Sequence, residues 1–117
     1  MQQTEVSNSV DLMFRAFSDR SRLRILCLLR DKEFCVGDIV DILQVPQPRI
    51  SRHLAYLRRM GLVEERKEGK WVIYSLAKAR DPVHAALLRC VRGCFQKVEM
   101  LQKDLARRAK LKSPRCC

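Results

Sequence analysis

Apolar positions recur at helical spacing through most of this chain and change to strand-like runs only past residue 61. Val10-Asp11-Leu12-Met13-Phe14-Arg15-Ala16-Phe17 reads as an amphipathic opening helix. Ser18 or Asp19 is placed to cap the next helix, in which Leu23, Ile25, Leu26, Leu28 and Leu29 form a mostly buried run. Val36 to Leu43 makes a third, strongly apolar helix, Gln44-Val45-Pro46 a tight turn, and Gln47 to Arg59 a fourth helix. That fourth segment buries Ile50, Leu54 and Leu57 and turns Arg49, Ser51, Arg52, Ala55 and Arg59 toward solvent. Two short helices joined by a tight turn, the second basic and rich in small residues on its free face, have the dimensions of a helix-turn-helix. The second helix of such a unit lies in a DNA major groove.

Gly61 ends that helix, Leu62-Val63-Glu64-Glu65-Arg66 reads as a strand, Lys67-Glu68-Gly69-Lys70 as a turn and Trp71-Val72-Ile73-Tyr74 as a second strand. Directly behind a recognition helix such a hairpin is a wing, and its tip brings Arg66, Lys67 and Lys70 to phosphate or to the adjoining minor groove. Gln47, Arg49, Ser51 and Arg52 are the candidates for reading bases or fixing register, and His53 for contact with phosphate or a neighbouring side chain. Arg20, Arg22 and Arg24 would flank the core or touch the DNA backbone. The expected fold class is mainly α with a small β component (α+β): a winged helix-turn-helix with N- and C-terminal dimerisation helices.

Behind the wing, Asp81 precedes Pro82, a cap followed by proline at the first helical position, and a long helix is expected to run to about Ala109. Val83, Leu87, Cys90 or Val91, Cys94, Val98, Leu101 and Leu105 recur along it at intervals of three and four. A second copy of the same helix is the natural partner for so long a stripe, and packing on the opening helix is the alternative. Residues 1–110 are thus read as the DNA-binding and dimerisation domain and residues 111–117 as a basic tail containing cysteine.

Composition narrows the partner. The 117 residues suffice for one core, and 24 Lys and Arg against 13 Asp and Glu give a net charge of +11. That excess suits a polyanion, a membrane surface or an acidic protein alike, and the winged motif selects DNA. No stretch approaches the roughly 20 apolar residues of a membrane span, and Met1-Gln2-Gln3-Thr4-Glu5 lacks the basic and apolar regions of a signal peptide. The expected location is cytoplasmic. In that reducing compartment the six cysteines point to thiolates with ligand or sensing roles rather than to a disulfide framework.

The order of elements covers nearly the whole chain and resembles the ArsR/SmtB family of metalloregulatory repressors. The resemblance rests on Ala16-Phe17-Ser18-Asp19-Arg20-Ser21-Arg22-Leu23-Arg24-Ile25-Leu26, on Glu33-Phe34-Cys35-Val36-Gly37-Asp38-Ile39, and on Ser51-Arg52-His53-Leu54-Ala55-Tyr56-Leu57-Arg58 before Gly61-Leu62-Val63. It implies a homodimer that blocks a promoter and releases it when an inducer binds. The family's arsenite sensors carry a motif of the form ELCVCDL; this chain keeps its first cysteine as Cys35 and has Gly37 at the second, so that three-thiolate site cannot be assembled here. Cys35 stands where a helix N-cap belongs, as a secondary ligand candidate or as a small buried thiol. A zinc site of the family's kind is disfavoured, because Asp81-Pro82-Val83-His84 has the wrong spacing and no histidine follows it.

The last helix offers Cys90-Val91-Arg92-Gly93-Cys94 instead. In an α-helix a separation of four puts both sulfurs on one face, one turn apart, near enough to share a soft ion. Arg89, Arg92 and Lys97 favour the thiolate. Cys116 and Cys117, adjacent on the basic tail, could fold back from the same or the partner subunit to supply a third sulfur. Trivalent arsenic takes three thiolates in a pyramid, and the resemblance makes As(III) the leading inducer, with Sb(III) fitting the same site. Two small core cysteines on a dimer stripe remain the plain alternative. Some relatives sense persulfide or oxidant through one cysteine in the second helix and one in the last, positions that Cys27 and Cys94 approach; Cys27, inside an apolar run, also reads as a buried inert thiol.

An enzyme is excluded on the same residues: there is no Cys-x-x-Cys, no phosphate-cradling glycine loop and no spare histidine to activate a nucleophile. An architectural DNA- or RNA-binding protein would keep the charge and the wing but would not need four cysteines in the last third of the chain.

Overall fold

The computed structural model describes the backbone of residues 2–94 and 98–111, with side chains over 10–93 and 98–111. Six α-helices and a small sheet follow one another as α1 (Gln2–Ser18), α2 (Arg20–Leu28), β1 (Phe34–Cys35), α3 (Val36–Leu43), α4 (Gln47–Arg59), β2 (Val63–Glu68), β3 (Trp71–Leu76), α5 (Pro82–Arg89) and α6 (Glu99–Lys110). A π-helical turn, Cys90–Cys94, continues directly from α5.

Local chemistry sets the ends of these elements. Asp19 takes the N-cap of α2, its carboxylate accepting from the Arg22 N–H at 3.0 Å. Asp81 caps α5 in the same way, accepting from the His84 N–H at 2.8 Å, with Pro82 at the first helical position. Cys35 occupies the N-cap of α3 in extended conformation and its side chain makes no cap bond, as sulfur in place of a hydroxyl oxygen predicts. Gln44 ends α3 in the left-handed region, at φ 58°, and hands the chain to α4.

The core lies where α2, α3 and α4 meet. Ile25, Leu26 and Leu28 from α2, Ile39, Ile42 and Leu43 from α3, and Ile50, Leu54 and Leu57 from α4 are all buried. Val63 and Leu62 close it beneath the hairpin, and Met13 and Ala16 of α1 cover one side. The sheet has the order β1-β3-β2 and is antiparallel throughout, with Phe34 opposite Tyr74 and Cys35 opposite Ile73. The third strand, β1, joins the wing to the start of α3, a link that two residues of sequence do not announce. The hairpin is tighter than its sequence suggests: Glu68 pairs with Trp71, so Gly69 and Lys70 alone turn the chain. Arg66 and Lys67 therefore stand within β2, opposite Ile73 and Val72, and only Lys70 is at the tip.

The long terminal helix is not continuous. It runs as α5, passes through the π-helical turn and restarts as α6 after an extended Val98. Gly93 lies in that turn, where a residue of low helix propensity weakens the i to i−4 ladder. Part of its apolar stripe is used within the chain: Leu101 and Val91 enter the same core as α2 and α3, and α6 packs against both of those helices. Val83, Leu87 and Leu105 stay half-buried and Val98 exposed.

Candidate nucleic-acid interface and thiol segment

α4 separates its two faces as the sequence predicts. Ile50, Leu54 and Leu57 face inward while Gln47, Arg49, Arg52, Ala55 and Arg59 are exposed and Ser51 and His53 half-buried. Gln47 Nε2 donates to Ser51 Oγ at 2.8 Å, one turn apart, which pre-orders the start of the helix. Burial, together with Arg22, Arg49 and Arg52, lowers the His53 imidazole from its ordinary value against the pull of Asp19, which favours the neutral ring.

Tyr56 anchors this helix to the rest of the fold, a role the sequence does not reveal. The Arg22 guanidinium stacks 4.3 Å from its ring centroid and Arg59 covers it at 5.9 Å. Arg22 also donates to the Ala16 carbonyl at 3.1 Å and the Arg15 carbonyl at 2.9 Å, closing the C-terminus of α1. Arg24 is likewise turned inward, to Asp104. Of the arginines of α2, two thus serve the interior of the fold rather than a bound backbone.

In the wing, Lys67 and Lys70 are exposed, with the Lys70 ammonium 5.4 Å from the Trp71 ring centroid. Arg66 is engaged within the protein, paired with Glu33 and with Glu68. Its hydrogen bond holds the Glu33 carboxyl below the ordinary glutamate range. Both partners remain nearly half exposed, so this pair contributes little stability and a phosphate can compete for the guanidinium. At the base of the wing Gly61 has φ +75°, and the Arg80 guanidinium occupies the space a Cβ would need while donating to the Met60 carbonyl at 2.9 Å.

The cysteines divide clearly. Cys27 is 4% exposed and burial pushes its thiol up to about 12, which removes it from thiolate chemistry near neutral pH. Cys35 is buried and disulfide-bonded. Its Sγ also lies 3.5 Å from a carboxylate oxygen of the buried Asp38. Cys90 is a half-buried thiol in the π-helical turn. Cys90 and Cys94 thus lie in a turn of i to i+5 bonding and not in the α-helical register that would set their sulfurs one turn apart on one face. The Cys94 side chain, Cys116 and Cys117 lie outside the described residues. Among the described residues no group of three or more His, Cys, Asp or Glu side chains is arranged to hold a metal. His84 has its Nδ1 facing the Arg80 N–H at 3.2 Å, and Asp81 is occupied as the cap of α5.

A helix-turn-helix with a basic outer face and a hairpin wing defines a DNA-binding transcriptional regulator. Residues 19–65 match the family described as bacterial regulatory protein, arsR family. The chain is 41% identical over 97 residues to the arsenical resistance operon repressor of Escherichia coli K12, a match spanning 81% of this chain and 83% of that protein. It is 35% identical over 111 residues to the arsenic resistance transcriptional regulator ArsR1 of Pseudomonas putida, spanning 91% and 85%. Its fold superposes on the homodimeric winged helix-turn-helix domain of Mb0332 from Mycobacterium bovis with a TM-score of 0.67, at 28% identity, over 78% of this chain and 82% of that one. The chain belongs to the arsR family of bacterial regulatory proteins. No helix among the described residues is long and apolar enough to cross a membrane.

Proposed function

We propose that this protein is a homodimeric repressor in the cytoplasm, bound to operator DNA through α4 and the wing and released when trivalent arsenic binds cysteine thiolates. Gln47, Arg49, Ser51 and Arg52 read bases or fix register, His53 assists at the backbone, and Lys67, Lys70 and an Arg66 drawn from Glu33 meet phosphate. Cys90 and Cys94 supply two sulfurs and Cys116 or Cys117 the third; antimonite fits the same donors.

The observation that carries this reading is where the thiol segment falls. Cys90 is in a turn whose neighbour Val91 is in the core and which packs against α2, so ligation there acts on an element already seated beside the helix-turn-helix. Later in the chain, α6 also packs against α2 and against α3. The E. coli relative's role in arsenical resistance supports arsenic as the inducer. The Mycobacterium bovis domain supports a twofold assembly.

A second reading, regulation by thiol oxidation, is favoured by the disulfide at Cys35, which sits in the wing sheet and at the N-cap of α3 at once. It does not favour Cys27 as the reacting sulfur, since that thiol is buried and protonated.

Fluorescence anisotropy of a duplex selected by the protein from a random-sequence pool separates these readings. Arsenite should release the reduced wild-type protein, while Cys90→Ser and Cys94→Ser keep DNA affinity and ignore arsenite. Release of both variants by arsenite would place the site elsewhere. Release of the wild type by an oxidant but not by arsenite, abolished in Cys35→Ser, would establish the second reading instead.

A further inference from the structure

The carbonyl end of α3 is the last structure before the turn into the recognition helix, and its final carbonyls have no N–H of their own helix to accept. Gln44 N–H serves the Val40 carbonyl at 2.8 Å. The other two described partners come from arginine side chains. Arg24 Nη2, on α2, donates to the Leu43 carbonyl at 2.7 Å, and Arg107 Nε, on α6, donates to the Ile42 carbonyl. Both guanidiniums converge on one carboxylate. Asp104 of α6, only 2% exposed, accepts from Arg24 Nε and Nη2 at 2.8 Å each and from Arg107 Nη2 at 2.6 Å.

Two cations share one buried anion, with Arg24 mostly buried and Arg107 partly open to water. The partial negative charge at the C-terminus of α3 favours both guanidiniums, which donate to its end carbonyls. The cluster is therefore more than an ion pair: Asp104 orients two arginines, and the arginines cap the helix that leads into the reading head. Apolar packing of α6 alone would leave the pitch of that helix end undetermined. Arg108 treats α2 similarly, donating to the Leu28 carbonyl at 3.0 Å while paired with Asp31 at 2.7 Å.

We infer that Asp104 is a positioning residue for DNA recognition: by holding Arg24 and Arg107 on the Ile42 and Leu43 carbonyls, it makes α6 set the angle at which α4 leaves the turn. α6 then governs sequence-specific affinity without touching DNA itself. The inference rests on α4 being the reading helix, which the Arg52→Ala variant described below tests separately, and it holds whatever the inducer.

The test compares affinity for the selected duplex with affinity for a random duplex, a ratio from which general electrostatics cancel. Asp104→Asn keeps the shape and removes the charge. The double variant Arg24→Met with Asp104→Leu keeps the net charge of the chain and replaces a buried ion pair by apolar groups, an exchange that proteins often tolerate without loss of stability. In either variant that folds by circular dichroism, the selected-to-random ratio should fall by about tenfold, within the roughly 5- to 150-fold range of coupling between distant sites. Hydrogen exchange at the Gln44 amide should rise in parallel in the free protein. A folded variant with an unchanged ratio, or with both affinities reduced by the same factor, would overturn the inference. If neither variant folds, Arg107→Met decides, because it removes the bond to the Ile42 carbonyl at a side chain that is only part-buried: a preserved fold with an unchanged ratio and unchanged Gln44 exchange would equally refute the inference.

Discussion

Arg52 stands fully outward on α4, and one turn further on Tyr56 is fixed by Arg22, so the arginine projects from a helix that cannot roll freely. A guanidinium so placed can offer guanine a bidentate pair of donors. Arg52→Ala should therefore cost about 1–3 kcal/mol on the selected duplex and relax one position of the site, measured by anisotropy on single-substitution duplexes. Neutralising Lys70 at the hairpin tip should instead weaken binding to all sequences alike and lower the salt slope by about 1. Identical behaviour of the two variants would contradict the division of labour between helix and wing. Arg66 is the intermediate case, since DNA must first draw it from Glu33 and Glu68.

At the scale of elements, α3 and α4 were legible because a buried stripe and a breaking Pro46 leave little freedom in where such helices begin and end. The wing was legible as a hairpin, but its two-residue turn was not, because Lys67 and Glu68 carry no sign of being paired residues of a strand. The seat of α6 was hidden for a different reason. Its stripe of Leu101 and Leu105 has the same period whichever helices it meets, and the contacts that seat it on α2 join Arg24 to Asp104 and Arg108 to Asp31 across about eighty residues. Local periodicity cannot encode such pairings. Sequence did hold one clue to the break before α6, in Gly93. Its φ is ordinary and a Cβ there would meet nothing within 4 Å, so Gly93→Ala should stabilise the fold by about 0.5–1 kcal/mol in urea unfolding. A destabilised variant would show that this turn depends on glycine.

For the whole molecule, an excess of 11 positive charges suits attraction to DNA of any sequence, and in the proposed account the face of α4 and the clamp on α3 supply discrimination. An inducer need only disturb the second term to release the operator. In the proposed dimer each arsenic does so by drawing on Cys90, Cys94 and a tail sulfur. X-ray absorption at the arsenic edge, on the reduced full-length protein loaded with one arsenite per chain, counts those sulfurs directly. The account predicts three sulfur neighbours in the wild type and in Cys35→Ser, and two sulfurs with one oxygen when Cys116 and Cys117 are both serine. Three sulfurs retained in that tail variant, or a sulfur lost in Cys35→Ser, would contradict it.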